Sequence, residues 1–504
     1  MSQLPFRHDL ADATGIGLRQ LLPASEIVGA QDVRVNACTA DSRSCQPGDL
    51  FVALVGTNND GHDHYEEAFA RGASAMLVER MLPVDVPQCV VPDTRVAHGQ
   101  LCQALAGHPS QSLKLIGVTG TNGKTTTSCL IASVLQAAGF QPGLLGTLGY
   151  CDGVTTERAA LTTPSAPVLA DWLARMVANG CTHAVMEVSS HALAQHRVAG
   201  ITFDAACVTN VRRDHLDFHG SLVNYRAAKR RLFDHVAPEG FAVMNADDPV
   251  CTNYLSTFIG PALTVGLRNE AEITATLVER CASEQTFLLH AGLDTAPVRT
   301  RMIGDHHISN CLVAAAVGLA YGIDLHEIVR GIEAIEHVPG RLERIECGQP
   351  FAAFVDYAHT PDALACTLNT LREITEGKLI CVFGAGGNRD RQKRPLMGRT
   401  VEQLADEAIV TTDNPRSEDP EVIAREILSG CDRPADFELV FDRSSAIRRA
   451  IHLAEPGDTV VIAGKGHEDY QIIGNRRHQI DDRQVVRDCL YQLAERPQLC
   501  RSAA

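Results

Sequence analysis

The sequence predicts an α/β chain of three domains: a small N-terminal α/β unit over residues 1–111, a central parallel-sheet domain over 112–338 and a Rossmann-like domain over 339–504. Three observations carry that expectation. With 504 residues the chain is too long for one hydrophobic core, and domains of ~150 residues each would make about three. Residues 113–139 read as an apolar strand, a glycine turn and a helix in direct succession. Beyond residue 341, apolar runs of strand length alternate with runs of helix length, the pattern of a doubly wound parallel sheet.

The central domain is organised around LKLIGVTGTNGKTTTSCLIASVLQAAG. Leu113, Leu115, Ile116 and Val118 read as a buried strand, and from Lys124 onward Leu130, Ile131, Val134, Leu135 and Ala138 recur at helical spacing. The turn between them is a phosphate loop. Gly120 and Gly123 let backbone N–H groups close around phosphate oxygens, Lys124 adds a point charge, and Thr125 at the helix start can hold Mg²⁺. Val118 stands where the general pattern has its first glycine, so GTNGKTT is a narrower variant. The agreement of the flanking periodicities argues against a chance glycine turn, and the loop reads as an ATP site.

In the first domain, residues 50–55 and 75–78 read as strands with a helical stretch at 64–71 between them, and polar loops at 39–43 and 56–61 frame the first strand. Asn, Asp and Gly are ordinary turn residues, and composition alone favours that reading of both loops. His108, Pro109 and Ser110 mark the boundary. In the second domain, the strand at 184–188 carries Glu187 at its end, beside the phosphate loop. That position suits a metal carboxylate, although a strand-end glutamate is more often only solvated. The strand at 205–210 leads to His215 and Asp217 at the sheet edge where ligands of open α/β sheets collect; either could equally cap a loop. Residues 224–233 form a basic helical segment containing Lys229, which spacing alone leaves as a solvated helix residue. Residues 241–245 read as a strand. GDHHISN at 304–310 opens an apolar helix over 311–320, with Asn310 as its N-cap or turned towards the nucleotide.

In the third domain the expected strands are 351–356, 378–383, 407–410 and 458–463, with helices at 361–371, 421–428 and 445–454. Gly384, Gly386 and Gly387 begin like a dinucleotide fingerprint, but no GxGxxG completes it and the basic run 388–394 follows in place of an apolar helix. That excludes an NAD site and suits a carboxylate ligand, which arginine grips with paired hydrogen bonds.

Bulk charge narrows the function further. Lys and Arg total 45 against 61 Asp and Glu, a net charge of −16, which argues against a nucleic-acid surface. The N-terminal residues lack the basic and apolar regions of a signal peptide, and the longest apolar run, 311–323, is short of the ~18 residues a membrane span needs, so the expected location is cytoplasmic and away from membranes. The 17 cysteines are scattered without any CxxC pair and are expected to be buried apolar fillers with no site role.

Several motifs coincide in order: GTNGKTT at 120–126, MEVSSHAL and QHR within 186–197, YRAAKRR around Lys229, then PGRLE, DYAHTPDAL, GAGGNRDRQKRP, DNPR and GKGHEDYQ. Together they resemble the Mur ligase family of peptidoglycan synthesis over essentially the whole chain, and within it the branch that adds meso-2,6-diaminopimelate. The resemblance implies an N-terminal domain for the uridine diphosphate, a central P-loop ATPase and a C-terminal domain for the amino acid. It assigns Ala40, Ser42, Thr57, Asn58 and Asn59 to the uridine nucleotide, and Thr162, Thr163, Ser189, Gln195 and Arg197 to the muramoyl-dipeptide. ATP falls to Gly120, Thr121, Asn122, Gly123, Lys124, Thr125 and Thr126, completed by Asn310, Arg341 and Asp356 across the domain seam. His306 and His307 depart from the GxxNxxN pattern that relatives often carry. Arg389, Asp413, Asn414, Pro415, Arg416, Gly464 and Glu468 fall around diaminopimelate. Lys229 becomes a carbamate (N6-carboxylysine), and with Thr125, Glu187 and His215 holds Mg²⁺, two ions in all.

The implied reaction has two steps, carried by Lys124, Lys229, His215 and Glu187. A carboxylate of UDP-MurNAc-L-Ala-D-Glu attacks the γ-phosphate of ATP to form an acyl phosphate, and the amine of diaminopimelate then displaces phosphate. The product would serve cell-wall biogenesis and through it cell shape, division and the cell cycle, and the ligase is expected to act as a monomer. Selecting diaminopimelate over lysine needs a cation for the second carboxylate. Arg416 fits that need; Asn-Pro often marks an ordinary turn, but the segment follows an expected strand at the same sheet edge as residues 384–389, which favours the binding reading. Three alternatives stand beside this reading. Arg416 argues against a lysine-adding sister enzyme, residues 1–111 against a folylpolyglutamate synthase-like ligase, and two further domains bearing Arg389 and Glu468 against a nucleotide-dependent switch.

Overall fold

A computed structural model describes residues 6–7, 15–56 and 59–495. Its strands fall mainly into three sheets that follow one another along the chain. In the first, Ala37–Thr39, Leu50–Val52, Ala75–Val78 and Gln88–Val90 run parallel, with Phe6–Arg7 and Glu26–Val28 antiparallel at the edges. The helix Thr94–Leu105 covers one face, where Leu101 and Leu105 share a core with Cys38, Leu50, Val52 and Leu77. Ala166 and Ala170, from the central helix Ala166–Ala178, enter the same core, which seats the first domain on the second. The strand expected over 50–55 stops at Val52 because the chain doubles back: the Gly61 amide donates to the Leu54 carbonyl at 2.9 Å, and the Asp60 carboxylate caps the turn Gly61–His64.

The central sheet places Lys114–Thr119 between His183–Glu187 and Phe203–Val208, all parallel. Strands buried on both faces need continuous apolar runs, and Leu115, Ile116 and Val118 are fully buried accordingly. Pro142–Gly146 continues the parallel set on one side, and Val236–Asn245, Ala262–Gly266 and Ile273–Arg280 on the other. The antiparallel strands Gln285–Ala291 and Asp294–Thr300 extend that second edge. The helices Lys124–Ala137 and Asp305–Ala320 pack together, with Ile131, Val134, Cys311 and Ala315 in one core.

That last helix corrects the sequence reading, which began it at 311. The chain turns at Gly304 (φ +108°), whose carbonyl accepts from the amides of His307 and Ile308, so Asn310 lies in the helix interior and is not a cap. The first turns carry polar residues that are buried, His307 and Asn310 among them, and this hid them from an apolar-periodicity argument.

In the third sheet, Ala352–Asp356, Thr459–Ala463, Leu379–Phe383, Glu407–Val410 and Phe437–Leu439 run parallel, with Glu343–Arg344 antiparallel at the edge. Separate apolar clusters cover its two faces, one containing Leu364, Leu368, Met397 and Ile427 and the other Ile447, Ile451, Val486 and Leu490. The expected Rossmann-like winding is therefore present. Two helices were not foreseen here, Asp482–Glu495 and Lys393–Leu404; the latter begins inside the basic run 388–394, which is a loop only in its first part. Its apolar stripe is thin, and Lys393 and Arg394 are themselves buried at its start. Among the described residues, no helix is long and apolar enough to cross a membrane.

Candidate active site

The phosphate loop sits where three parallel strands end, and its two glycines are required by what surrounds them. Gly123 has φ +86°, and a Cβ there would come within 2.5 Å of Asn310 Oδ1; a Cβ on Gly120 would collide with Thr209 Oγ1. The loop is fastened to the end of Phe203–Val208: the Thr121 amide donates to the Asn210 carbonyl at 2.8 Å, the Asn122 amide to Asn210 Oδ1 at 3.0 Å, and Thr209 Oγ1 to the Asn122 carbonyl at 2.6 Å. Thr127, one turn into the helix, donates to Asn310 Oδ1 at 3.2 Å. Thr126 is buried at the same helix start.

Two lysines meet on one carbonyl. Lys124 Nζ donates to Gly120 O at 2.9 Å and to Thr121 O at 3.0 Å, while Lys229 Nζ donates to the same Gly120 O at 2.6 Å. Lys229 is 1 % exposed and reaches the loop from the helix Leu222–Arg230, beside Tyr225, whose hydroxyl bonds Thr121 Oγ1 at 2.9 Å. Burial, reinforced by the charge of Lys124, pushes the Lys229 amine well below the usual lysine range, and burial also lowers Lys124. The solvated reading of Lys229 is therefore wrong. It was favoured because a basic helix face is usually solvated and spacing does not single this lysine out; Arg226 and Arg230 on the same helix are indeed exposed.

Glu187 is equally buried. Thr125 Oγ1 donates to its carboxylate at 3.1 Å, and Thr147 donates through its amide at 2.7 Å and its hydroxyl at 3.1 Å. Arg341 crosses from the third domain and donates to Thr125 Oγ1 at 2.9 Å, with its guanidinium 4.4 Å from the Tyr357 ring. His215 opens the short helix Leu216–His219; its ring lies 4.7 Å from that of His191, and burial drives it down to about 3, so it is neutral at physiological pH. Burial raises the neighbouring Asp214, yet His215, His359 and Lys393 together hold its carboxyl down to about 2. Asp217 is exposed and stands apart, whereas Asp214 is the buried acid of this loop. Hydroxyl and carboxylate oxygens of Thr125 and Glu187 form the donor set that Mg²⁺ favours, and among the described residues no ion pair neutralises Glu187, so the site fits a hard dication.

The remaining candidates form three groups. Thr163 Oγ1 donates to the Glu187 carbonyl at 2.9 Å and lies 3.2 Å from Ser189 Oγ, Arg197 donates to the Thr163 carbonyl at 2.9 Å and to Gln195 Oε1 at 2.7 Å, and Thr162 accepts from Thr147 at 3.1 Å. This group adjoins Glu187. Ala40, Ser42 and Asn59 lie beyond the ends of neighbouring parallel strands of the first domain, where Ser42 donates to Glu67 at 2.7 Å and Asn59 bonds His64 at 3.0 Å. Thr57 and Asn58 lie outside the described residues. In the third domain, Asn414 donates to Glu468 at 2.9 Å, and buried Lys465 reaches Asn414 at 3.2 Å and Glu468 at 3.3 Å. Gly464, at φ +113°, leaves room for the Asp413 carboxylate. Arg416, following Pro415, also has positive φ (+54°); it donates to the Gly387 carbonyl at 2.7 Å, and the hairpin Tyr470–Ile473 with Arg476–Gln479 holds its amide at Ile472 O, 3.0 Å away. Arg389 lies close to it, and burial together with that charge lowers the Arg416 guanidinium. Asp356 accepts from the amides of Leu342 at 2.6 Å and Ala358 at 2.8 Å and from Thr367 at 3.0 Å, so it fixes the seam loop behind Arg341.

Comparison with known proteins identifies the architecture. Residues 34–104, 118–318 and 340–466 match the profiles described as "Mur ligase family, catalytic domain", "Mur ligase middle domain" and "Mur ligase, glutamate ligase domain". The chain is 44% identical over 459 residues to the UDP-N-acetylmuramoyl-L-alanyl-D-glutamate--2,6-diaminopimelate ligase of Geobacillus kaustophilus, covering 90% of this chain and 94% of the relative. The chain belongs to the Mur ligase family. A second relative of the same name, from Syntrophomonas wolfei, is 42% identical over 468 residues, covering 92% of this Mur ligase and 96% of that protein. A solved structure of that name is 33% identical, with a TM-score of 0.67 over 96% of this chain and 100% of the other. The MurF ligase of Thermotoga maritima in complex with ADP, at 18% identity and TM-score 0.60 over 90% and 96% of the two chains, shares the fold.

Sequence reasoning on this Mur ligase missed several side chains inside the same groups: Thr147 at Glu187, Asn210 and Thr209 under the loop, Asp214 beside His215, and Lys465 in the third domain. Lys465 stood within GKGHEDYQ, between the two residues that were singled out, and a fully buried lysine leaves no mark in a sequence. Thr147 follows Gly146, where a Cβ would strike the Glu187 carboxylate, a signal visible only once the strands are paired.

Proposed function

We propose that this Mur ligase is the ATP-dependent enzyme that joins meso-2,6-diaminopimelate to UDP-MurNAc-L-Ala-D-Glu, releasing ADP and phosphate, in the synthesis of the peptidoglycan precursor. The observation that carries the chemistry is the convergence of Lys124 and Lys229 on Gly120 O, with Glu187 at the Thr125 hydroxyl. The printed names of the relatives at 42–44% identity carry the substrate class.

On this reading the loop amides of residues 120–126 and Lys124 bear the charge of the ATP phosphates, and Arg341 adds a cation from the third domain when the two domains meet over the nucleotide. Phosphoryl transfer asks a protein mainly for positioning and charge stabilisation. Mg²⁺, held by Thr125 and Glu187 with neutral His215 as a further ligand, supplies Lewis-acid charge when bound. Thr162, Thr163, Ser189, Gln195 and Arg197 orient the dipeptide so that its glutamyl carboxylate faces the γ-phosphate, and Ala40, Ser42 and the 57–59 loop take the uridine nucleotide. A lysine with a depressed pKa offers a neutral amine that adds to CO₂, forming an N–C bond and releasing one proton to solvent, and the carbamate of Lys229 would be an anionic oxygen ligand beside Lys124. Arg389 and Arg416 bind carboxylates of diaminopimelate, with Asp413, Asn414 and Glu468 accepting from its ammonium groups. The reading includes action as a monomer, and the soluble nucleotide substrates support a cytoplasmic location.

Phosphate release measured with each substrate omitted in turn tests the reading. It predicts release only when ATP, the uridine dipeptide and the amino acid are all present. Release with ATP alone would mark a nucleotide switch.

A further inference from the structure

The first domain holds a side-chain cluster that the ligase reaction does not use. Cys38 Sγ, a ring nitrogen of His98 and Cys102 Sγ all lie within 4.8 Å of one another. They are 1 %, 4 % and 0 % exposed. Cys38 is the middle residue of the strand Ala37–Thr39, and His98 and Cys102 stand one turn apart on Thr94–Leu105. Residues four apart share a helix face, so both point from the helix towards the strand. The core around them is apolar, with Leu18, Leu50 and Leu101 among its members. Within it, His98 Nε2 is buried and has no hydrogen-bond partner, although buried polar groups are almost always satisfied. Among the described residues, no other trio of His, Cys, Asp or Glu side chains converges in this way.

We propose that Cys38, His98 and Cys102 bind one thiophilic d¹⁰ cation, Zn²⁺, as a structural site fastening the helix to the sheet. Zinc takes thiolate sulfur at ~2.3 Å and imidazole nitrogen at ~2.0 Å, which sets tetrahedral ligand atoms about 3.7 Å apart. The observed atoms, all within 4.8 Å of one another, are compatible with that spacing, and they supply three of the four tetrahedral positions. Binding exchanges two S–H bonds for two Zn–S bonds, releases two protons to solvent and takes a ring-nitrogen lone pair of His98. The product of Zn²⁺ and two thiolates has no net charge, so nothing ionic is left in the apolar core. Cu(I) shares the preference for sulfur and nitrogen, but with two thiolates it would leave a negative charge. The cysteines had been expected to be apolar fillers; for Cys38 and Cys102 that expectation gives way, because sequence spacing cannot show a strand and a distant helix supplying one site.

The test is elemental analysis of the full-length chain purified without chelators from zinc-replete cells. The wild type should carry about one zinc per chain, Cys102→Ser should lose it, and Cys89→Ser, a change elsewhere in the same core, should keep it. Copper at the same stoichiometry, lost in Cys102→Ser, would support the site and assign the monovalent ion. Equal metal content in wild type and Cys102→Ser, or a Cys38–Cys102 disulfide in the peptide map of the unreduced protein, would overturn the proposal. If Cys102→Ser does not fold, titration of chelator-treated wild type with Zn²⁺ decides: melting temperature should rise to saturation at one equivalent, and a flat response would overturn the site.

Discussion

The phosphate-loop centre and the proposed amino-acid pocket both gather buried charge, but they balance it differently. At the loop, Lys124 and Lys229 rest on backbone carbonyls, and their shared acceptor, Gly120 O, carries no full charge. In the third domain, Lys465 is fully buried yet paired with Glu468 and Asn414, and Arg443 is paired with Asp482 at 2.6 Å with both side chains completely covered. In the first region Lys124 has backbone carbonyls and, among the described residues, no carboxylate as its hydrogen-bond partners, which suits a polyphosphate and discriminates little. The second is a network of paired charges in which Arg389 and Arg416 stand without a carboxylate partner among the described residues, and on the proposed reading selectivity follows from where those two stand.

The largest effect should come from removing charge at the loop. Lys124→Ala should lower kcat by at least about 100-fold with the fold intact, as loss of one transition-state donor commonly does; near wild-type turnover in the folded variant would break the contrast at its first term. Lys229→Ala should be close to inactive and regain activity with added short-chain carboxylic acids.

The same lysine yields a stability test. Its folded-state amine is less basic than in the unfolded chain, so unfolding takes up a proton. Stability should therefore rise with pH from the depressed folded value towards the ordinary value near 10.5. Lys229→Met should flatten that slope and melt no lower than wild type at neutral pH, an outcome readable by thermal scans across pH. A lower melting temperature would mean the ammonium is structural.

In the amino-acid pocket the expected change is in binding. Arg416→Ala should raise the KM for diaminopimelate by roughly 100-fold, since removing one partner of a buried charge pair costs several kcal/mol, while the KM for ATP moves little. The smallest effect is expected at the seam: Arg341→Met should raise the KM for ATP several-fold without altering diaminopimelate, because its contact is with Thr125 and not with the third-domain pocket. Equal changes in both constants would show that the two regions are coupled more tightly than their charge networks suggest.

What could be read beforehand follows the same division. Strands buried on both faces, such as Lys114–Thr119 and Thr459–Ala463, are legible from apolar runs, and the glycine turn before Lys124 from its residue types. Helices with buried polar starts are not: Asp305–Ala320 and Lys393–Leu404 both begin on side chains that composition assigns to loops. Arg416 and Glu468 were reached through motif resemblance. Lys229 shows the limit most plainly, because a basic helix face and a single lysine buried against a carbonyl are the same letters until Tyr225 and Gly120 are brought beside it.

The most direct test of the account is phosphate release by the wild-type enzyme, with ATP and UDP-MurNAc-L-Ala-D-Glu supplied, across a panel of amino acids that includes meso-diaminopimelate and L-lysine. The account predicts rapid release with diaminopimelate and a rate near background with lysine. Comparable rates with both would contradict it.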